Sequence, residues 1–144
     1  MMIFSIALPL PPSSNKTHRR RGLGKPGLFL TPAAKRYKRS VIKAVLAKCV
    51  HTLKYVDPES AYFLTLVFHL DAITKGYPGK AKHRFRIIDL SNRVILLENA
   101  IKEVTGIDDS NTFELNLIKV QLREGESPYV EAHYGKLEEV DWRL

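Results

Sequence analysis

The run AYFLTLVFHL, residues 61–70, constrains the fold more than any other stretch of this chain. Aromatic and β-branched residues fill it, and apolar groups stand on both of its alternating faces. That pattern predicts a central strand, because at an open position one apolar face would be left in water. A central strand needs neighbours on both edges and a layer packed against it, and the rest of the chain supplies candidates for each.

Two segments carry a helical period. Thr31 followed by Pro32 is a helix start, since the threonine oxygen caps free N–H groups and proline at the first helical position forfeits no hydrogen bond. The spacing predicts a helix over 32–54, with Ile42, Leu46, Cys49 and Leu53 as its buried stripe and Lys35, Arg36, Lys38, Arg39, Lys43 and Lys48 on its flanks. Further on, Leu90, Val94, Leu97, Ile101 and Val104 recur at four, three, four and three, and Gly106 follows as a stop. At the N-terminus, Phe4, Ile6 and Leu8 alternate with Ser5 and Ala7, and Pro9, Pro11 and Pro12 close the run. That segment reads as a strand and not as a signal peptide, being too short for a membrane span and preceded by no basic residue.

Residues 112–122 form a further strand whose apolar phase switches from Phe113, Leu115 and Leu117 to Ile118, Val120 and Leu122, which predicts a bulge or two buried faces. Residues 127–135 read as its hairpin partner. The order β-α-β-α-β-β predicts one small α+β domain over 1–144, a mixed sheet with two helices packed on it.

Lysine and arginine total 23 against 15 acids, a formal charge of +8. The excess collects in two loops, at about 13–30 and 71–86, and in the first half of the first helix. It favours a polyanionic partner, with a plain solvated basic surface as the alternative. Cys49 is the only cysteine, so no internal disulfide and no thiolate zinc site exist, and a reduced, cytoplasmic setting fits. The five histidines, at 18, 51, 69, 83 and 133, show no metal-ligand spacing and read as surface or core residues.

Three acids stand out by position: Asp89 before the second helix, and Asp108 and Asp109 after it. Carboxylates suit hard divalent cations, and phosphodiester hydrolysis uses such a cation to activate water and offset charge on phosphate. Each also has a plainer reading, Asp89 as a helix cap and the other two as turn residues. A helix of this length separates its ends by roughly 20 Å. Joining the two acidic groups therefore requires the chain after Gly106 to fold back along the helix, or two copies to set their helices antiparallel about a twofold axis.

ALPLPPSSNKTHRRR, DLSN at 89–92 and IDD at 107–109, in that order across most of the chain, resemble the RusA-type Holliday junction resolvases. Those are small homodimeric, magnesium-dependent endonucleases, with a strand leading into a Pro-Pro-Ser-x-Asn loop, an Asp-x-Asp-Asn motif followed three residues later by lysine, and a later Asp-Asp pair. The resemblance implies a RusA-like fold, a catalytic set of Asp89, Asp109 and Asp108, and Mg2+ held by Asp89 and Asp109. It further implies branched DNA, four-way junctions above all, as the partner, bound by a homodimer and with no membrane involved. Phosphate contacts would come from Asn15, Lys16, Arg19, Arg20, Arg21, Lys35, Arg36, Lys82, Arg84, Arg86 and Arg93. Ser91 stands where the family has its second aspartate and Ile95 where it has its lysine. The first exchange removes a ligand and a charge, and the second removes a phosphate contact. Glu98 lies seven residues beyond Ser91, about 10 Å along the helix, too far to replace the missing carboxylate simply. A catalytically impaired junction-binding protein is the alternative, and a basic RNA- or ribosome-associated protein a third.

Overall fold

The computed structural model describes residues 1–12, 18–20, 28–71, 73 and 90–138, with 18–20, 28–30, 91 and 92 described by their backbone alone. Its elements run β1 (Met2–Pro9), β2 (His18–Arg20), β3 (Leu28–Leu30), α1 (Pro32–Leu53), β4 (Tyr62–Leu70), α2 (Ser91–Thr105), β5 (Thr112–Gln121) and β6 (Tyr129–Lys136). A single turn of 3-10 helix, Asp109–Asn111, precedes β5. The architecture is the expected α+β one: a mixed four-stranded sheet in the order β1-β6-β4-β5, with two helices packed together over it.

β4 is central, as its two apolar faces predict. It pairs antiparallel with β6 on one edge and parallel with β5 on the other. Tyr62, Leu64, Leu66, Phe68 and Leu70 point into the helix layer and are buried, while Phe63, Thr65, Val67 and His69 on the other face are half-buried. A parallel pair cannot be closed by a tight turn, so the chain crosses over between β4 and β5, and α2 lies on that crossover. α2 buries Leu90, Val94, Leu97 and Ile101 as the spacing requires, together with Leu96 and Ala100.

α1 starts as expected: the Ala34 N–H donates to Thr31 Oγ1 at 3.2 Å, and Pro32 occupies the first helical position. Its buried stripe is the expected one only in part. Ala34, Tyr37, Val41, Val45 and Cys49 face the core, Ile42 and Leu53 are only partly buried, and Leu46 is 44% exposed. Burial is turned by about one residue position, because the smaller alanine and valines let the helix come close to β1 and α2, where a leucine would hold it away. The Tyr37 hydroxyl donates to the Pro9 carbonyl at 2.6 Å, and the Thr52 hydroxyl donates to the Ile3 carbonyl, fastening α1 to β1 at two points.

Two further expectations are corrected. β5 and β6 are not a hairpin, because β4 lies between them and both pair with it. β6 runs on to pair with β1, from Met2↔Gly135 to Pro9↔Tyr129. β5 does carry a register shift, at Phe113 between Tyr62↔Thr112 and Phe63↔Glu114, but not two buried faces: from there to Leu70↔Gln121 its ladder with β4 is regular, and nearly all of it is exposed. Within the first basic segment, His18–Arg20 and Leu28–Leu30 form a two-stranded antiparallel ladder where a loop was expected. Among the described residues no helix is long and apolar enough to cross a membrane.

The corrected stripe is testable by urea denaturation. Leu66→Ala, on the buried face of β4, should cost about 2–5 kcal/mol. Leu46→Ala should stay within about 0.5 kcal/mol, and the reverse order would restore the stripe expected from spacing alone.

Candidate metal centre and nucleic-acid interface

α2 ends as its sequence dictates. Gly106 takes the left-handed conformation, φ 73°, that a side chain would strain, and its N–H donates to the Lys102 carbonyl at 2.8 Å. The Thr105 hydroxyl donates back to the Ile101 carbonyl and accepts from the Ile107 N–H, so the chain leaves the helix with Ile107 buried and the next two side chains turned outward. Asn111 pins this turn from the other side, its amide donating to the carbonyls of Pro58 and Ser60 ahead of β4.

The two neighbouring aspartates have different surroundings. Asp108 caps the 3-10 turn, accepting from the Ser110 N–H at 3.2 Å, and forms an ion pair with Lys102 Nζ at 2.5 Å. The Lys102 ammonium and the Ser110 donors hold its carboxyl well below the usual carboxylate range. Its plainer reading as a turn residue thus has direct geometric support. Asp109 instead lines a small cavity with Glu98, Lys102, Thr112 and the edge of buried Tyr134. Glu98 feels it: burial, then the negative charge of Asp109, raise the Glu98 carboxyl above its ordinary value.

Sequence spacing set Glu98 aside because it was measured from Ser91; measured from Asp109 it is a neighbour. Glu98 lies one turn back from Lys102 and two from Thr105 along α2, and the turn at Gly106 brings Asp109 beside it. Its signal was present as an acid one helical turn from Lys102, on a face shared with no other expected site residue.

Asp89, Asn15, Lys16, Arg21, Lys82, Arg84 and Arg86 lie outside the described residues, and Arg19, Arg20, Ser91 and Asn92 are described by backbone alone. The cap of α2 is Leu90, whose carbonyl accepts from the Val94 N–H at 2.9 Å. With 15 residues, α2 spans about 22 Å, and Asp109 belongs to its far end. The chain does run back along α2, as β5, but Asp108 and Asp109 precede that strand and remain where α2 ends. Within one copy, Asp109 and the start of α2 therefore stay apart.

The carboxylate oxygens of Asp109 and Glu98 are donors of the kind magnesium takes, and their mutual repulsion is what a cation would relieve. Magnesium commonly uses only one or two carboxylates and keeps several waters, so the pair fits it. Among the described residues, no three histidine, cysteine, aspartate or glutamate side chains are arranged so that they could hold a metal ion. Lys35, Arg36, Arg39, Lys43 and Lys48 are exposed on α1, Arg93 is half-buried on α2, and Lys38 is engaged by Glu103 at 2.7 Å.

The sheet also unites residues that spacing kept apart. On the helix-free face, Glu131 accepts through one oxygen from His69 Nε2 at 2.6 Å and meets His133 Nε2 with the other at 3.2 Å. His133 Nδ1 lies 2.6 Å from the Ser5 hydroxyl, and Tyr129 stacks on His69 with ring centroids 4.2 Å apart. Burial opposes the charge on Glu131, but hydrogen bonds from both histidines outweigh it and lower the carboxyl. The array stitches β1, β6 and β4 together and gives both histidines hydrogen-bond partners.

No protein-family model matches the chain, and no curated protein matches it.

Asp109→Asn should lower the Glu98 pKa, read by carbon-detected NMR titration. Glu98 binds its proton more tightly in the folded chain, so its contribution to stability is present at low pH and is lost as pH rises through its raised value. The variant should weaken that loss, and an unchanged Glu98 titration would mean the two carboxylates do not interact.

Proposed function

We propose that the protein is a magnesium-dependent, structure-selective DNA endonuclease of the cytoplasm, acting as a homodimer on four-way junctions or other branched DNA, as the RusA-type resolvases it resembles do. The observation that carries this reading is the carboxylate pair Asp109 and Glu98 at the end of α2, set in a chain of charge +8 whose neighbouring helix exposes Lys35, Arg36, Arg39 and Lys43. Acids that repel one another inside a basic protein favour a counter-cation, and the basic flank favours a phosphate backbone.

In this reading Asp109 holds the ion from the end of α2 and Asp89 holds it from the start of that helix in a second copy, with Glu98 beside Asp109. Magnesium, when bound, lowers the pKa of a water and offsets the charge that develops on the phosphate. Asp108, tied to Lys102, fixes the turn that presents Asp109 and is a positioning residue. The basic groups of α1 and of the segments at 13–30 and 71–86 bind and orient the DNA. A second reading, a junction-binding protein without cleavage, is favoured by one observation: Ser91 supplies no carboxylate where the resolvase motif has one.

Incubating a synthetic four-way junction with the protein, with and without magnesium, tests both. Paired nicks should form only with magnesium, Asp109→Asn should reduce them about a hundredfold or more, and Glu98→Gln by a smaller factor. Junction binding should survive both substitutions and weaken steeply with salt, each lost phosphate contact lowering the log–log slope by about 0.9. Binding without nicks, with cleavage gained on Ser91→Asp, would establish the second reading. Equal affinity for junction and linear duplex would remove branched DNA as the substrate.

A further inference from the structure

The helix-free face of the sheet holds an array that the nuclease reading leaves unused. Ser5 of β1 stands directly opposite His133 of β6, and the Ser5 hydroxyl lies 2.6 Å from His133 Nδ1. The other ring nitrogen of His133, Nε2, faces Glu131 Oε2 at 3.2 Å. Glu131 gives its second oxygen to His69 Nε2 at 2.6 Å, and the Tyr129 ring stacks on that of His69.

These contacts fix where the protons stand. Burial opposes the charge on Glu131, but hydrogen bonds from His69 and His133 outweigh it, so the carboxylate is ionised at neutral pH and only accepts. A carboxylate facing His133 Nε2 requires the N–H there, which leaves Nδ1 of the neutral ring as an acceptor. The Ser5 hydroxyl must then donate to Nδ1. A hydroxyl, a base that receives its proton and a carboxylate that orients the base are the parts of an activated serine nucleophile. His69, itself held by Tyr129, keeps Glu131 aimed at His133, and these two are positioning residues.

The array is open where a substrate would arrive. Ser5 is exposed, and the His133 and Glu131 side chains are 27% and 34% exposed. Two residues along β6 from His133, Gly135 leaves room that the Phe63 ring fills, for a Cβ there would stand 2.7 Å from that ring. Phe63 is half-buried, and its ring offers an apolar bed beside His133.

We propose that Ser5 is a catalytic nucleophile for acyl transfer from small, apolar, activated esters, with His133 as its base. Ser5 Oγ bonds to the acyl carbon as its proton passes to His133 Nδ1, and Glu131 stabilises the imidazolium. The ester oxygen leaves with that proton. Water then attacks the acyl-serine while giving a proton to the same nitrogen; the bond from the acyl carbon to Oγ breaks, Oγ takes the proton back, and a carboxylic acid is released. An apolar acyl chain rests on Phe63, and a good leaving group asks least of the surroundings at the carbonyl oxygen. The ionisable groups of this face are His133, Glu131 and Tyr129 on β6, His69 on β4 and Glu114 on β5, so the carboxylates there favour the protonated base.

The test uses the full chain and two probes. A fluorophosphonate, which loses fluoride as it bonds to an activated serine, should add a single label per chain, located at Ser5 by peptide mass mapping. p-Nitrophenyl butyrate should be hydrolysed above the buffer rate, and Ser5→Ala should abolish that excess with unchanged circular dichroism. His133→Gln should slow labelling about a hundredfold. Glu131→Gln should move the pH profile of labelling to lower pH, because the protonated base loses its carboxylate. Should His133→Gln unfold the chain, Ser5→Cys serves in its place: beside His133 its thiol should react with iodoacetamide at about pH 6 roughly tenfold faster than cysteine free in solution, an equal rate counting against the base. The proposal is overturned by the absence of an adduct at Ser5, by ester hydrolysis that is absent or survives Ser5→Ala, or by labelling that either His133→Gln or Glu131→Gln leaves unaltered.

Discussion

The pairing of β4 with a different kind of neighbour on each edge is the constraint from which the rest follows. On the β6 side the strands are antiparallel, and the Tyr62 and Tyr134 rings stack almost flat, centroids 5.0 Å apart, with Phe4 of β1 next in line at 5.3 Å. That aromatic row fixes three strands to one another beneath the helices, and the Tyr62 hydroxyl reaches on to the backbone of Asp57. On the β5 side the strands are parallel, which forces a crossover. α2 occupies that crossover, packs against α1, and delivers its last turn to the point where β5 begins. The position of Asp109 is thus a by-product of sheet topology: the residue stands where a helix must release the chain into a parallel strand.

Much of this was legible in the residues. The alternation in β1, the doubly apolar β4, the proline-led start of α1 and the four-three spacing of α2 each follow from a local rule that the tertiary structure does not oppose. Where expectation failed, the deciding term was not local. Leu46 has the right spacing for a buried stripe, but how closely α1 approaches β1 and α2 depends on neighbours the spacing does not contain, and Val41 and Val45 permit the closer approach. β5 and β6 are near in sequence and antiparallel in space, which is all a hairpin pattern reports; that a third strand separates them depends on β4, whose apolar faces need neighbours on both edges.

The candidate site shows the same division. Asp108 and Asp109 look equivalent as an Asp-Asp pair, and only the turn after Gly106 distinguishes one held by Lys102 from one facing Glu98. Glu98 itself is an ordinary helical acid until Asp109 is set beside it. His69, Glu131 and His133 share no sequence spacing that signals contact, because positions 69 and 131 meet only through the β4–β6 register, Val67↔Glu131 with His69↔Tyr129. Periodicity reports which face a residue occupies, and register reports whom it meets there.

The place of β6 bears on how the molecule comes to exist. β1 has its ladder partner in a strand that begins at Tyr129, and the Met1 amino group reaches the Lys136 carbonyl at 3.1 Å, 135 residues along the chain. Among the described residues β1 finds its ladder partner only once β6 has been made, and β6 must then enter a slot bounded by β1 and β4. Loop closure over such distances is slow and leaves apolar strand edges open meanwhile. The helices and β4 are able to assemble before β6 is available, whereas the sheet closes only after it.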